Sequence, residues 1–144
     1  MLSRKVMNRH GRNYRSYYPS KKLGRMVHCE SILERDAVQL FEQAKFIKYF
    51  EEQPMVVNYY YEEKIREYFP DFLLITNDEV EILIEVKPSE IMEKPDISKK
   101  YDAIKSNLNK RGKNFIILNE VTIRSPKAPE LLELIFAFNA NGGE

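Results

Sequence analysis

The stretch that decides the fold is Arg66–Lys87, REYFPDFLLITNDEVEILIEVK. Two apolar runs flank the polar residues TNDE at 76–79, which is the pattern of a β-hairpin. Acidic residues interrupt these runs at Asp71, directly after a proline, and at Glu85, two residues before Lys87. Charged side chains inside apolar strands need a physical explanation, because their removal from water is costly.

The register of this hairpin follows from which side chains must share a face. With a three-residue loop at 77–79, Asp71 faces Glu85, and successive side chains alternate between the two faces. That register gathers five apolar side chains on one face: Phe72, Leu74, Ile82, Ile84 and Val86. The other face carries Asp71, Glu85 and Lys87 together. A loop shorter by one residue would divide the apolar set, so the sequence predicts the three-residue loop.

The two facing carboxylates suggest a metal site. Directly opposed like charges destabilise a strand pair, and burying them without a partner is worse. A divalent cation would relieve both problems, and carboxylate oxygens suit Mg²⁺ or Mn²⁺ rather than zinc. On the same face, the Lys87 ammonium could hold an attacking water or stabilise a developing negative charge.

Length and composition describe one domain with its own core. The chain has 144 residues, of which 43% are hydrophobic and 31% charged, and no stretch approaches a membrane span. The N-terminus is polar and basic, without the apolar core of a secretory signal. The single cysteine, Cys29, excludes an internal disulfide, and two histidines argue against a histidine-rich metal site. We therefore expect a location in a reducing cytoplasm.

The net charge of +1 hides an asymmetry. Residues 1–27 contain no acidic residue and 8 of the 23 basic ones, which leaves a charge of −7 on the remainder. This pattern favours an N-terminal arm that contacts DNA phosphates, over a solvated basic tail that packs partly on the body. The arm is expected to be broken into loops by glycine and proline. Its DNA-contacting candidates are Arg4, Lys5, Arg9, Arg12, Arg15, Lys21, Lys22 and Arg25.

A helix is predicted to open at Ser31, with apolar residues at helical spacing through Ala44 and Ile47. Ser31 and Glu34 fit a capping box, in which the glutamate reaches back to the start of the helix. Glu34 could instead be a third acid of the metal site. The capping pattern alone favours the cap.

The rest of the chain alternates strands and helices. In order, the pattern predicts a strand at 53–61, a polar turn at 62–66, the hairpin, a helix through Ile97, Tyr101, Ile104 and Leu108 that ends at Gly112, a strand at 114–119, and a last helix from Pro126 or Pro129. Lysines lie on the exposed face of the predicted helix that ends at Gly112. We expect these lysines to be solvated, with a secondary DNA contact as the alternative.

These features resemble a known family. Pro70-Asp71 followed by Glu85-Val86-Lys87 resembles the PD-(D/E)xK nuclease motif, and the element order α-β-β-β-α-β-α resembles the restriction-endonuclease-like core, a mixed central sheet flanked by helices. With segments such as ESILERD at 30–36 and EQP at 52–54, the chain is similar to the N-terminal catalytic domain of TnsA-type transposon endonucleases. The expected organisation is a basic arm at 1–27, a nuclease domain at 28–140 and a tail at 141–144.

The resemblance implies an Mg²⁺- or Mn²⁺-dependent endonuclease with two ions per site, held by Glu34, Asp71, Glu85 and the Val86 carbonyl, with Lys87 completing the site. Here the resemblance favours the metal role of Glu34. It further implies cutting of double-stranded DNA at transposon 5′ ends beside a separate transposase, in the cytoplasm of a bacterium. Because one site cuts one strand, a double-strand break would need a homodimer or a partner nuclease.

The chain departs from the family after about residue 125, where one short helix stands in place of the winged-helix-like domain of full-length members. This departure puts the partnership with a transposase in doubt. Two alternatives stay open: a phage or prophage nuclease that processes DNA without a transposase, and a non-catalytic DNA-binding subunit. A catalytically inactive site would not need two opposed acids on one face, and their presence argues against the non-catalytic DNA-binding subunit.

Overall fold

The computed structural model describes residues 14–140. Its strands are β1 (Ser16–Ser20), β2 (Arg25–Cys29), β3 (Ile47–Glu52), β4 (Val57–Tyr61), β5 (Lys64–Tyr68), β6 (Phe72–Thr76), β7 (Glu81–Val86) and β8 (Asn114–Leu118). Its helices are α1 (Ile32–Gln43), α2 (Ser89–Met92), α3 (Pro95–Lys110), α4 (Glu120–Ile123) and α5 (Ala128–Ala140). Within the described residues, no helix has the length and apolar character needed to span a membrane.

A mixed four-stranded sheet forms the centre of the fold. Its strand order is β3-β6-β7-β8, in which β3, β6 and β7 are antiparallel neighbours and β8 runs parallel to β7. The parallel step needs a crossover connection, and α2 and α3 provide it. This arrangement confirms the predicted fold class of a mixed sheet flanked by helices, compatible with a restriction-endonuclease-like core.

The predicted register of the central hairpin is confirmed. Leu73 pairs with Leu83 and Ile75 pairs with Glu81, as expected for the loop at 77–79. The Thr76 N–H donates to the Val80 carbonyl at 3.0 Å and closes this loop. Extended one step further, the same register places Asp71 opposite Glu85.

Each face of the central sheet is covered by its own hydrophobic core. The face predicted to be apolar packs on α1, α4 and α5, and Phe41 of α1 meets the ring of Phe72 at 5.3 Å between centroids. The other face packs on α3 and on the β4–β5 pair, through residues such as Leu83, Phe115 and Leu108. Glu85 projects into this second core, which the sequence analysis did not anticipate.

The first strand of the sheet was predicted in the wrong place. The sequence predicted this strand at 53–61, whereas the first strand of the central sheet is β3, which starts at Ile47, a residue that the periodicity assigned to the preceding helix. Gln53 has a positive φ of 45° and ends β3. Residues 57–61 instead pair with β5 in a separate two-stranded sheet, and the turn between them is only Glu62-Glu63. Apolar spacing could not reveal these breaks, since both segments are rich in aromatic residues.

The prediction of a loop-like arm is wrong for residues 16–27, and the second strand continues beyond the arm to Cys29. These residues form the antiparallel hairpin β1–β2, with Gly24 at φ 70° in its turn. Pro19 is compatible with a strand here because a two-stranded sheet has an outer edge on each strand, where a missing donor costs little. The hairpin packs on α1, which supplies the apolar contacts that the sequence of the arm does not show by itself.

The helix signals are confirmed with small changes. Ser31 is the N-cap of α1, and its Oγ accepts the Glu34 N–H at 3.0 Å. Pro95 begins α3, and Gly112 lies just beyond its end with φ 73°, a conformation that favours glycine. The two helices that the sequence analysis missed, α2 and α4, have four residues each, too few for an apolar period to show.

Candidate active site

Asp71 lies just before β6 and is anchored on three sides. Its backbone N–H donates to the Ile84 carbonyl at 3.0 Å, and its own carbonyl accepts the Gln53 N–H at 2.8 Å. Its Oδ2 accepts the N–H of Val86 at 2.8 Å, and the residue is 5% exposed. The carboxylate is therefore held against the end of β7. Gln53, which supports it, has a left-handed backbone, a strain typical of functional sites.

Glu85 is a buried carboxylate whose two oxygens each accept a phenol hydroxyl. Oε1 accepts from Tyr68 at 2.5 Å, and Oε2 accepts from Tyr101 at 3.0 Å. Glu85 is 5% exposed, so these donors replace the water that the carboxylate loses on folding. Burial, followed by the charge of Glu85, raises the pKa of Tyr68, which keeps that hydroxyl a neutral donor.

Lys87 lies at the boundary between this buried pocket and solvent. Its backbone N–H donates to the Leu118 carbonyl at 3.0 Å, which continues the pairing of β7 with β8. Its Nζ lies 3.4 Å from Glu85 Oε2 and 5.5 Å from the centroid of the Tyr101 ring. The side chain is partly exposed. The structure thus brings Glu85 and Lys87 together, with the ammonium open to an incoming group.

Glu34 takes part in the helix cap. Its backbone N–H donates to Ser31 Oγ, and its Oε1 accepts the N–H of Glu30 at 3.1 Å. The carboxylate therefore reaches one residue further back than in a standard capping box. Across residues 14–140, no three His, Cys, Asp or Glu side chains are grouped closely enough to share a metal ion. The structure joins Asp71 to the end of β7 beside Glu85, and it does not bring Glu34 into a cluster with them.

The basic residues proposed for DNA contact divide into three groups. Arg4, Lys5, Arg9 and Arg12 lie outside the described residues. Arg15 and Lys21 are exposed, in the hairpin β1–β2 or just before it, and are available to solvent. Lys22 and Arg25 are engaged within the protein, so their positive charges already have partners.

The contacts of Lys22 and Arg25 are structural. Lys22 Nζ donates to three carbonyls at the end of α1 and the start of β3, those of Phe41, Ala44 and Ile47, at 2.8, 2.9 and 2.6 Å. Burial lowers the pKa of Lys22, and the charge of Glu42 opposes that shift. Arg25 forms a bidentate pair with Glu52, at 3.1 and 2.8 Å. This pair and backbone donors outweigh burial and hold the pKa of Glu52 below its ordinary value.

Cys29 offers no nucleophile. It is fully buried in β2, and burial, followed by the charge of Glu34, raises the pKa of its thiol to about 12. The thiol is therefore protonated at neutral pH, whereas cysteine chemistry requires the thiolate. Cys29 is therefore a core residue.

The residues that the sequence analysis missed are Tyr68 and Tyr101. In the sequence, Tyr68 belongs to an apolar run and Tyr101 to the apolar face of a predicted helix, so neither was expected to have a role at the site. The one available signal was chemical. A buried tyrosine needs a partner for its hydroxyl, and both positions were expected to be buried. Which carboxylate would meet them depends on how β5 and α3 pack, which no local pattern shows.

Comparison with protein families gives one match. The family model described as TnsA-like endonuclease N terminal matches residues 45–120, more than half of the 144-residue chain. The matched segment runs from just before β3 to just past β8 and includes Asp71, Glu85 and Lys87, whereas Glu34 precedes it. No curated protein sequence matches the chain.

Proposed function

The chain belongs to the TnsA-like endonuclease family, and on that premise we propose that it is a metal-dependent nuclease whose active site is built from Asp71, Glu85 and Lys87. The observation that carries this proposal is the position of the Lys87 ammonium, 3.4 Å from the buried Glu85 carboxylate, where the end of β7 also holds Asp71. Two buried acids and a partly exposed lysine at one strand end form a site suited to phosphodiester hydrolysis.

The residues present fit a hard divalent cation. Asp71 and Glu85 are both buried carboxylates, and oxygen donors of this kind prefer Mg²⁺ or Mn²⁺. The backbone carbonyl of Val86 is the proposed third donor, and Glu34 is the proposed acid for a second ion. Bound there, divalent ions would lower the pKa of a water and neutralise charge on the scissile phosphate.

The side chains of the site have separate tasks. Asp71 is held by the Val86 N–H, so its other oxygen keeps a defined direction. Lys87 Nζ would donate to the phosphate or to the attacking water, because it is the partly exposed cation beside Glu85. Exposed Arg15 and Lys21 would contact the DNA backbone. The products would carry 5′-phosphate and 3′-hydroxyl ends.

The biological substrate we propose is double-stranded DNA at the 5′ ends of a transposon. A transposase would cut the other strand, since one site of this kind cleaves one strand at a time. A second copy of the chain could serve the same purpose. The family match supports a nuclease acting on DNA, and the identity of the ends and of the partner forms part of the proposal.

A plasmid-nicking assay tests the site directly. Purified protein should nick supercoiled DNA with Mg²⁺ or Mn²⁺ and not with EDTA. Lys87→Ala should fold normally and lose activity by about 100-fold or more, the scale of removing one group that stabilises transition-state charge. Lys113→Ala, which removes an exposed lysine far along the chain, is the matched control. Wild-type cutting by Lys87→Ala would show that the site is assigned wrongly.

The same assay separates the two roles of Glu34. A glutamine at this position can still accept the Glu30 N–H and complete the cap, but it carries no charge for a metal. If Glu34 is a ligand, Glu34→Gln keeps the melting temperature of the wild type and loses nicking. Full nicking activity in Glu34→Gln would show that Glu34 acts only as a helix-capping residue.

A further inference from the structure

Glu85 depends on residues outside its own sheet. Its side chain leaves β7 toward the core that also contains Leu83 and Phe115, and neither of these can donate a hydrogen bond to it. The donors come from Tyr68 at the end of β5 and from Tyr101 on α3. A buried carboxylate without hydrogen-bond donors would strongly destabilise the fold, so these two hydroxyls compensate the burial of Glu85.

The two hydroxyls engage opposite oxygens of the carboxylate. Tyr68 donates to Oε1 at 2.5 Å and Tyr101 donates to Oε2 at 3.0 Å. A phenol has a single O–H hydrogen, so each tyrosine gives its only hydrogen to Glu85. A carboxylate oxygen accepts about two hydrogen bonds. Oε1 therefore keeps capacity for a further partner such as a cation, whereas Oε2 also lies 3.4 Å from Lys87 Nζ. The arrangement orients Glu85 without blocking it.

Packing fixes the direction of both phenols. The rings of Tyr68 and Tyr101 meet edge to face, with centroids 6.1 Å apart, and Tyr68 meets Phe115 in the same way at 5.7 Å. Both tyrosines are buried. The ring of Tyr101 also lies beside two cations, with Lys87 Nζ at 5.5 Å and Lys100 Nζ at 5.4 Å from its centroid. The rings therefore cannot turn away without disturbing the second core.

We propose that Tyr68 and Tyr101 are positioning residues that clamp both oxygens of Glu85 and thereby set the affinity of the site for its divalent ion. This inference rests on the proposed function, because it takes Glu85 to be a metal ligand. Tyr101 also packs against Lys87, so one residue of α3 contacts both the carboxylate and the ammonium of the site. Partners that hydrogen-bond to metal ligands typically change metal affinity 10- to 100-fold when they are removed.

The test is a titration of the full chain with Mn²⁺, followed by electron paramagnetic resonance of the free ion. Tyr68→Phe and Tyr101→Phe each remove one oxygen and keep the ring. We expect each to raise the Mn²⁺ dissociation constant by about tenfold or more while the circular dichroism spectrum is unchanged. Tyr59→Phe is the matched control: Tyr59 is equally buried, and its hydroxyl donates to none of the residues that the structure describes.

A double variant separates positioning from general stability. If the tyrosines act through Glu85, Tyr101→Phe should have no further effect on Mn²⁺ binding once Glu85→Gln is present. A full additional loss in the double variant would show that Tyr101 acts by another route and would overturn the clamp. If Tyr68→Phe fails to fold, Tyr101→Phe decides the question, since Oε2 then keeps the nearby Lys87 ammonium.

The clamp and the proposed function fail in different ways. Wild-type Mn²⁺ affinity in both Phe variants, with weak binding in Glu85→Gln, would overturn the clamp and leave the metal site intact. If the wild type itself binds no Mn²⁺ and nicks no DNA, the metal site is wrong and the clamp falls with it. Weaker binding in both Phe variants, with Tyr59→Phe unchanged, supports the clamp.

Discussion

The β6–β7 hairpin and the β4–β5 hairpin are both short antiparallel pairs, but only the first is buried on both faces. Leu74 and Ile84 of the first pack on α1, and Leu83 on its opposite face packs toward α3. In β4–β5 the directly opposed residues Tyr60 and Ile65 are 55% and 69% exposed. Burial on two faces leaves one register that satisfies every side chain, whereas a half-exposed pair tolerates more than one.

The turns of the two hairpins also differ, in the number of residues that have a positive φ. The central loop at 77–79 places only Glu79 at positive φ. The β4–β5 turn has both of its residues, Glu62 and Glu63, at positive φ, the geometry of a type I′ turn that asparagine and glycine favour. Packing of this pair against α3 holds the turn in a conformation that its own residues disfavour.

The β1–β2 hairpin is a third case. It is held by specific polar contacts to α1 as well as by apolar burial: Ser20 Oγ donates to Glu42 at 2.6 Å, and Lys22 Nζ caps the end of the helix. A charged hydrogen bond to carbonyls at a helix C-terminus is favourable because the helix dipole is negative there. Three hairpins are therefore stabilised in three ways, by two-sided burial, by one-sided packing and by a half-buried lysine.

The largest effect is expected in the central hairpin. Phe72→Ala removes a fully buried ring that packs on Phe41, and it should lower the free energy of unfolding by about 3–5 kcal/mol. Ile65→Ala in the outlying hairpin should change it by about 0.5 kcal/mol or less. Urea denaturation measures both. Equal losses would mean that the exposed face of β4–β5 is buried in solution.

An intermediate effect is expected at Lys22. Lys22→Met leaves three carbonyls without their shared donor and should lower the free energy of unfolding by about 1–3 kcal/mol, while DNA affinity stays near that of the wild type. Lys21→Met is the matched control, with the opposite expectation: unchanged stability and weaker DNA binding. Thermal unfolding and a DNA-binding titration test the pair. A loss of DNA affinity only in Lys22→Met would return that residue to the DNA interface.

The smallest effect is expected in the turn of β4–β5. Glu63→Gly should raise the free energy of unfolding by about 0.5–1 kcal/mol, because glycine adopts a positive φ without the strain of a side chain. Glu63→Ala keeps that strain and should show no gain. Thermal unfolding distinguishes them. A gain of the same size in both variants would trace the effect to the lost charge and not to the backbone.

Parts of the site whose residues are close together in the sequence could be predicted, and parts formed by residues far apart in the sequence could not. The pairing of Asp71 with Glu85 follows from parity within one hairpin, since a single slip would have exposed its apolar face. Glu34 fits two patterns at once, a helix cap and a metal ligand, and the structure shows the cap contacts. The lysine expected to meet DNA, Lys22, turned inward because the end of α1 lies beside it.

Local patterns by themselves determined the mixed α/β class, the central register, the start of α1 and the end of α3, and the three residues proposed for chemistry on β7 and its partner strand. Only the tertiary structure decided that the other face of the sheet is a second core, that Ile47 opens a strand, and that Tyr68 and Tyr101 hold Glu85 from two separate elements. The physical reason is the sequence separation over which each interaction acts. Side-chain alternation and capping act over a few residues and are visible in the sequence, whereas a hydrogen bond between α3 and β7 exists only once the core has placed them together.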